Sequence, residues 1–252
     1  MKKSIYLLLA LGFMQTLAAA QTVVAVSQDS FVKDGASADT VFTTSLEVGN
    51  RGSGFNRKSY LEIDINSIIP ANQKIGTAAL KLTVAAFAPG TSTEDSTFNV
   101  YGIIDNADAW NQSTLTWNNA PKNDTASSNG ISSTGTVLLG SITFNPAAVD
   151  VNGSISFSSA ALADYLNWAA GLNGNFYSNG ITSDTDKKIT LILTSVSATS
   201  PAVTVYSTEG TTIPARDPQL EVTFTSSIPE SSTFALMVGL GALVCVSVRR
   251  RR

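Results

Sequence analysis

A succession of short runs rich in β-branched and aromatic residues, separated by Gly, Asn, Asp, Ser and Pro, extends from residue 22 to residue 224. It includes TVVAVSQ, SFVKDG, DTVFTTSLEVG, RKSYLEIDI, AALKLTVAAF, STFNVYGII, STLTWNN, TVLLGSITF, KKITLILTSVS, AVTVYST and PQLEVTF. Runs of this length and spacing predict an all-β sandwich or barrel of antiparallel strands. Asn-Gly pairs begin at residues 129, 152, 173 and 179, and each marks a turn because both residues tolerate positive φ.

Within RKSYLEIDI the alternation is readable residue by residue. Side chains along a strand point to opposite faces in turn. Arg57, Ser59, Leu61, Ile63 and Ile65 share one face, and Lys58, Tyr60, Glu62 and Asp64 share the other. The apolar face is expected in the core. Arg57 then points inward near the end of the sheet, where a buried charge needs a carboxylate partner; Glu209 is the expected one. Lys58 and Tyr60 are expected to face outward. In STLTWNN the same rule puts Leu115 and Trp117 on one face, with Trp117 as a core residue.

One segment departs from the strand pattern. SAALADYLNWAAG, residues 159–171, places Leu162, Tyr165, Leu166 and Ala169 at helical spacing. Ser159 is suited to the N-cap and Gly171 to the stop. A single short helix is expected across one end of the strands, with Trp168 packed. KNDTASSNGISSTG, residues 122–135, reads as one long mobile loop.

Both ends of the chain have the form of targeting segments. Lys2 and Lys3 precede an apolar run from Ile5 to Met14 and then Ala18, Ala19 and Ala20, the layout of a secretory signal covering residues 1–20. STFALMVGLGALVCVSV, residues 232–248, has no charge and reaches roughly 26 Å as a helix, enough for a thin bilayer core. Arg249 to Arg252 follow it and are expected to stay cytoplasmic. Between the two ends lies a body, residues 21–227, of a length that one β-sandwich core accommodates.

Residues 21–228 contain ten basic and eighteen acidic side chains, which argues against nucleic acid, whose binding rests on clustered Lys and Arg. The chain has no histidine, and its single cysteine, Cys245, lies in the apolar C-terminal segment. Cys–His and Ser–His–Asp nucleophilic sites and the common His/Cys zinc sites are therefore absent. Carboxylate, lysine, tyrosine and hydroxyl chemistry remain.

Two resemblances follow from ordered motifs. Ile228-Pro229-Glu230-Ser231-Ser232-Thr233, an apolar span and an arginine cluster that includes Arg249 and Arg250 together resemble the PEP-CTERM sorting signal of bacteria that make extracellular polysaccharide. Pro-Glu-Ser stands here where that signal usually has Pro-Glu-Pro. The resemblance implies export, transient anchoring in the inner membrane, and processing by an exosortase-like protease, leaving the body at the cell surface or in the matrix.

DSFVKDGASADT, SLEVGNRGSGFNRKSYLEIDI, AALKLTV, VYGIIDNADAWNQSTLTWNNAP, VTVYSTEG and ARDPQLEVTF occur in an order that resembles the DNRLRE family, also catalogued as a carbohydrate-binding module family with alginate-binding members. The resemblance implies a jelly-roll-like sandwich and polysaccharide binding. Where members usually show Ser-Arg-Glu, this chain has Ser207-Thr208-Glu209.

The candidate sites divide by chemistry. Arg51, Phe55, Lys58 and Tyr60, around the turn closed by Gly52 and Gly54, are the expected ligand contacts. Arginine meets a carboxylate with two parallel hydrogen bonds, and an aromatic ring supplies an apolar face. Trp110 either packs or meets a sugar. Asp29, Asp34, Asp105 and Asp108 are candidates for a structural calcium, which takes six to eight oxygen ligands; Asx turns explain the same residues. No acidic pair is singled out for hydrolysis.

The expectation is an exported, non-catalytic protein that binds an acidic polysaccharide such as alginate or a matrix exopolysaccharide. A structural matrix protein without a saccharide pocket, or a carboxylate-dependent polysaccharide-degrading enzyme, is the alternative.

Overall fold

The computed structural model describes residues 21–50, 52–66, 68–87, 95–196 and 202–227. The signal segment 1–20, Arg51, and the C-terminal segment with Pro229, Glu230, Arg249, Arg250 and the apolar stretch 232–248 lie outside the described residues. Among the described residues, no helix is long and apolar enough to cross a membrane.

Among the described residues there are eleven strands and one α-helix: β1 (Gln21–Ala25), β2 (Gln28–Lys33), β3 (Leu46–Val48), β4 (Arg57–Asp64), β5 (Gln73–Phe87), β6 (Ser96–Ile103), β7 (Thr136–Phe144), β8 (Ser154–Ser158), α1 (Ala160–Ala169), β9 (Lys188–Ser195), β10 (Val203–Val205) and β11 (Gln219–Ser226). They build two sheets. One runs β1-β11-β5-β10-β3, with β8 also paired to β5, and the other runs β2-β4-β9-β6-β7. Every pairing is antiparallel.

The inner faces meet in one apolar cluster. Leu61, Ile63, Leu191 and Leu193 come from the second sheet, and Leu80, Leu82, Leu220 and Val222 from the first. Alternation along β4 places Leu61 and Ile63 there, as expected. The helix also follows its sequence signals: Ser159 Oγ accepts from Leu162 N at 3.0 Å, and Gly171 has φ of +81°. It packs against β5 and β7, with Trp168 fully buried and its indole donating to Ile181 O at 3.0 Å.

Three expectations need correction. STLTWNN forms no strand, because Asn119 ties it into local turns: its Oδ1 accepts from Thr116 N at 2.7 Å and its Nδ2 donates to Thr114 O at 2.8 Å. Side-chain hydrogen bonds of this kind compete with a sheet ladder. A strand not foreseen, SISFS, pairs with β5.

The third correction concerns the outer face of β4. Lys58 and Tyr60 are fully buried and Glu62 nearly so. Tyr60 joins Val32, Ile103, Leu115, Trp117, Ala120 and Ile192 in a second, smaller apolar cluster. Leu115, Trp117 and Ala120 come from the connection between β6 and β7, which lies over the outside of the second sheet. The sheet is thus covered on both faces.

The strands also give the body two distinct poles. β4 runs from Arg57, beside the turn that follows β3, to Asp64, beside the connection that leads into β5. Its eight residues separate the poles by roughly 25 Å.

Candidate functional site

The turn after β3 is closed by a two-way backbone bridge: Arg57 N donates to Gly49 O at 2.8 Å and Gly49 N to Arg57 O at 3.3 Å. Gly52 and Gly54 both have positive φ, 92° and 85°, a region other residues enter at a cost. Asp34, at the end of β2, holds this turn in shape. Its carboxylate accepts from Gly54 N at 3.1 Å, Asn56 N at 2.8 Å and Asn56 Nδ2 at 2.6 Å.

The facing wall is the 123–131 loop. Lys58 reaches up from β4 into it, and its ammonium donates to Asn123 Oδ1 at 2.7 Å, Asp124 O at 3.2 Å, Ser127 O at 3.1 Å and Gly130 O at 2.5 Å. The same nitrogen lies 4.4 Å from the Trp117 ring centre, a cation–π contact. Burial pushes the Lys58 pKa down to about 8, while the charges of Asp124 and Asp34 oppose that shift. The loop expected to be mobile is therefore pinned to the sheet by a buried lysine.

Between turn and loop lies an open cleft of about 430 Å³, lined by Asp34, Asn50, Gly52, Ser53, Asn56, Trp117 and residues 125–128. Asn50 Nδ2 donates to Ser128 Oγ at 2.9 Å across it. Asn56 is buried; its Oδ1 is an enclosed acceptor without a hydrogen-bond partner, and its amide nitrogen fixes Asp34 at 2.6 Å. Phe55, next in the chain to Asn56 but not among the lining residues, is 53% exposed. The partly exposed Lys33 places its ammonium 5.3 Å from that ring centre.

Of the ligand contacts expected from the sequence, Phe55 alone is placed on a free surface. Lys58 and Tyr60 expose nothing to a ligand, and Arg51 is outside the described residues. Arg57 is paired, as its inward position requires, but with Glu47 on β3 and not with Glu209. Glu209 instead accepts from Gln112 Nε2 at 2.6 Å and Thr208 Oγ1 at 2.9 Å. Trp110 is partly buried, edge-on to Tyr60 at 6.1 Å, with its indole donating to Thr190 Oγ1 at 3.0 Å. Lys33, Asn50, Asn56, Ser127 and Ser128 were not expected at the site. The Ser- and Asn-rich composition of residues 122–135 was the available signal for the last two.

The four calcium candidates do not converge. Asp34 is occupied by the turn, and Asp105 is paired with Lys122 Nζ at 2.5 Å. Asp29 accepts from Thr208 N at 3.0 Å and is pushed up to about 7 by burial, with the charges of Glu209 and Asp217 adding to the shift. Asp108 lies beside Asp184, and burial raises both, helped by the nearby charge of Asp186. Among the described residues, no group of three or more His, Cys, Asp or Glu side chains is arranged to hold a metal ion.

A second cleft, about 450 Å³, lies at the opposite pole between residues 65–73 and Ala170, Leu172, Lys187 and Ser227. Lys187 there donates to Ala169 O at 3.3 Å and Ala170 O at 3.0 Å, satisfying the helix C-terminus.

Comparison with known families matches residues 20–158, more than half of the chain, to carbohydrate-binding module family 96. Every residue lining the 430 Å³ cleft falls inside that span. No curated protein matches the chain.

Proposed function

Because the chain belongs to carbohydrate-binding module family 96, we propose that its body is a non-catalytic module holding a polysaccharide in the cleft between the 52–56 turn and the 125–128 loop. The observation that carries this reading is the cleft's chemistry. Amides and hydroxyls of Asn50, Ser53, Asn56, Thr125, Ser127 and Ser128 line it. Sugar hydroxyls supply donors and acceptors in this arrangement, and the exposed Phe55 ring offers an apolar face to a pyranose.

Two features favour binding over cleavage and an anionic chain over a neutral one. Asp34 is the sole carboxylate among the described residues lining the cleft, and three N–H contacts occupy its oxygens, whereas hydrolysis needs two carboxyl groups flanking the bond. Lys33 beside Phe55 provides a cation for a sugar carboxylate, which supports an acidic polysaccharide such as alginate.

Export and sorting follow from the sequence of the two ends. Residues 1–20 carry the body out as a signal, and residues 228–252 hold it transiently in the inner membrane until an exosortase-like protease acts on the Pro229-Glu230 region, releasing it to the cell surface or matrix.

Affinity electrophoresis of the protein in alginate-containing gels tests the binding reading. Retardation at low ionic strength that weakens as salt is added is the expected result. Unretarded migration in alginate and in neutral glucan gels would favour a structural matrix protein without a saccharide pocket.

A further inference from the structure

Both ends of the described body leave from one pole. Gln21, the first described residue, pairs with Thr223 near the end of β11. Ser226, the last residue of β11, pairs with Gln73, the first of β5, and Ser227 N donates to Asn72 O at 2.9 Å. Asn72 belongs to the connection between β4 and β5, and Ile65 N in that connection donates to Lys187 O at 2.9 Å. The terminal pole is thus built from residues 65–73, 187–188 and 227.

The 430 Å³ cleft occupies the other pole. Its walls follow β2 and β3 and precede β4 (Asp34, Asn50, Asn56) or come from the 125–128 loop. That loop is joined there to the end of β9, where Asn129 Nδ2 donates to Val196 O at 3.4 Å. The cleft of about 450 Å³, by contrast, has Ser227 in its own wall, so a polymer lying in it would meet the segment that continues from Ser227.

We infer that the body presents its carbohydrate surface at the pole opposite both chain ends, so that a module held by its C-terminal flank engages a polysaccharide arriving from the far side, and the terminal-pole cleft takes no part. This rests on the carbohydrate-binding reading above and adds to it the direction of engagement. A rigid body with its site and its attachment at opposite poles needs no rearrangement to bind while attached. Two poles separated by the length of β4, roughly 25 Å, keep a bulky polymer clear of the supporting surface.

The native chain has one cysteine, Cys245, in the apolar C-terminal segment where detergent would cover it, so it is replaced by Ser throughout and handles are added elsewhere. The full chain in detergent is coupled to thiol-reactive beads in three ways: through a cysteine appended after Arg252, through Asn66→Cys at the terminal pole, and through Val196→Cys at the cleft-bearing pole. Asn66 and Val196 are both exposed, and neither lines the 430 Å³ cleft. Before coupling, each protein is run in alginate and neutral glucan gels.

Beads coupled through the appended C-terminal cysteine and through Asn66→Cys should retain alginate equally, and those coupled through Val196→Cys should lose about tenfold because the support blocks approach. Equal retention by the Val196→Cys beads, or loss confined to the Asn66→Cys beads, would overturn the assignment of the binding pole. Absence of retardation in every gel before coupling would overturn the carbohydrate reading itself, and the inference with it.

Discussion

The ammonium of Lys58 on β4 lies 4.4 Å from the ring centre of Trp117 in the connection between β6 and β7, and four oxygens of the 123–130 loop share its three protons. A charged group removed from water is held only where its hydrogen-bonding capacity is met; here one side chain meets it and organises a cleft wall at the same time. Replacing Lys58 with Met removes the ammonium from Asn123 Oδ1, Ser127 O and Gly130 O, while Asp124 O keeps its bond from Ser127 N, and a loss of about 3 kcal/mol is expected. Urea unfolding measures it. A change within experimental scatter would show that the loop holds its position without the lysine.

Arg57 and Glu47 join β4 to β3 through an ion pair, and Arg57 Nη1 also donates to Phe55 O at 2.9 Å. Both side chains keep some solvent contact, 14% and 25% exposed, so a coupling of about 1 kcal/mol is expected, between surface and fully buried pairs. A double-mutant cycle with Arg57→Ala and Glu47→Ala reads it directly. Arg57→Ala should lower thermal stability more than Glu209→Ala, since Glu209 lies elsewhere; equal effects would contradict the pairing.

Stability should fall as pH rises from about 4 to neutrality. Asp29, Asp108 and Asp184 all have pKa values raised by burial above 3.8, Asp29 to about 7. An acid whose folded pKa lies above its unfolded one favours folding fully below the unfolded value, and that contribution is lost as pH climbs through the folded value. Lys58 acts in the opposite sense in a higher window: its folded value, about 8, lies below 10.5. Its contribution is full above the unfolded value and lost as pH falls through 8. Melting temperatures across pH 4 to 8 test the first window, and Asp184→Asn should flatten the profile there. A profile that rises toward pH 7 would contradict the buried-carboxyl account.

At the proposed site, Phe55→Ala and Lys33→Ala should each weaken alginate retention several-fold to about tenfold, as loss of an aromatic contact or a charge-assisted hydrogen bond does. Phe55 is exposed and Lys33 partly so, so stability should hardly change. Lys33→Ala should also reduce the salt dependence. An unchanged salt dependence would indicate that Lys33 does not meet a sugar carboxylate.

Much of this arrangement was legible in the sequence, and its failures have two causes, one distant and one local. Alternation along Arg57–Ile65 separates the two faces of β4, and the capping serine of α1 stands where its residue type predicts. The same alternation cannot report what covers a face from afar. Lys58, Tyr60 and Glu62 look like a solvated set because each carries a polar end. Yet Lys58 is satisfied by a loop far along the chain, and Glu62 by Ser27 Oγ at 3.0 Å and Gln28 Nε2 at 2.7 Å. STLTWNN has the composition of a strand, but Asn119 closes its turns. The cleft was partly visible as a glycine-rich turn and partly hidden, because Asn56 and the 125–128 loop meet only in the folded chain.

Alginate affinity electrophoresis of Asn56→Ala beside the native protein tests the central claim most directly. Asn56 lines the cleft and its side-chain amide holds Asp34, so Asn56→Asp, which keeps the shape but cannot donate that hydrogen bond, is run alongside. Retarded migration of the native protein, with retardation lost in Asn56→Ala and reduced in Asn56→Asp while circular dichroism shows all three folded, is the result the account predicts. Equal retardation of all three folded proteins would contradict it.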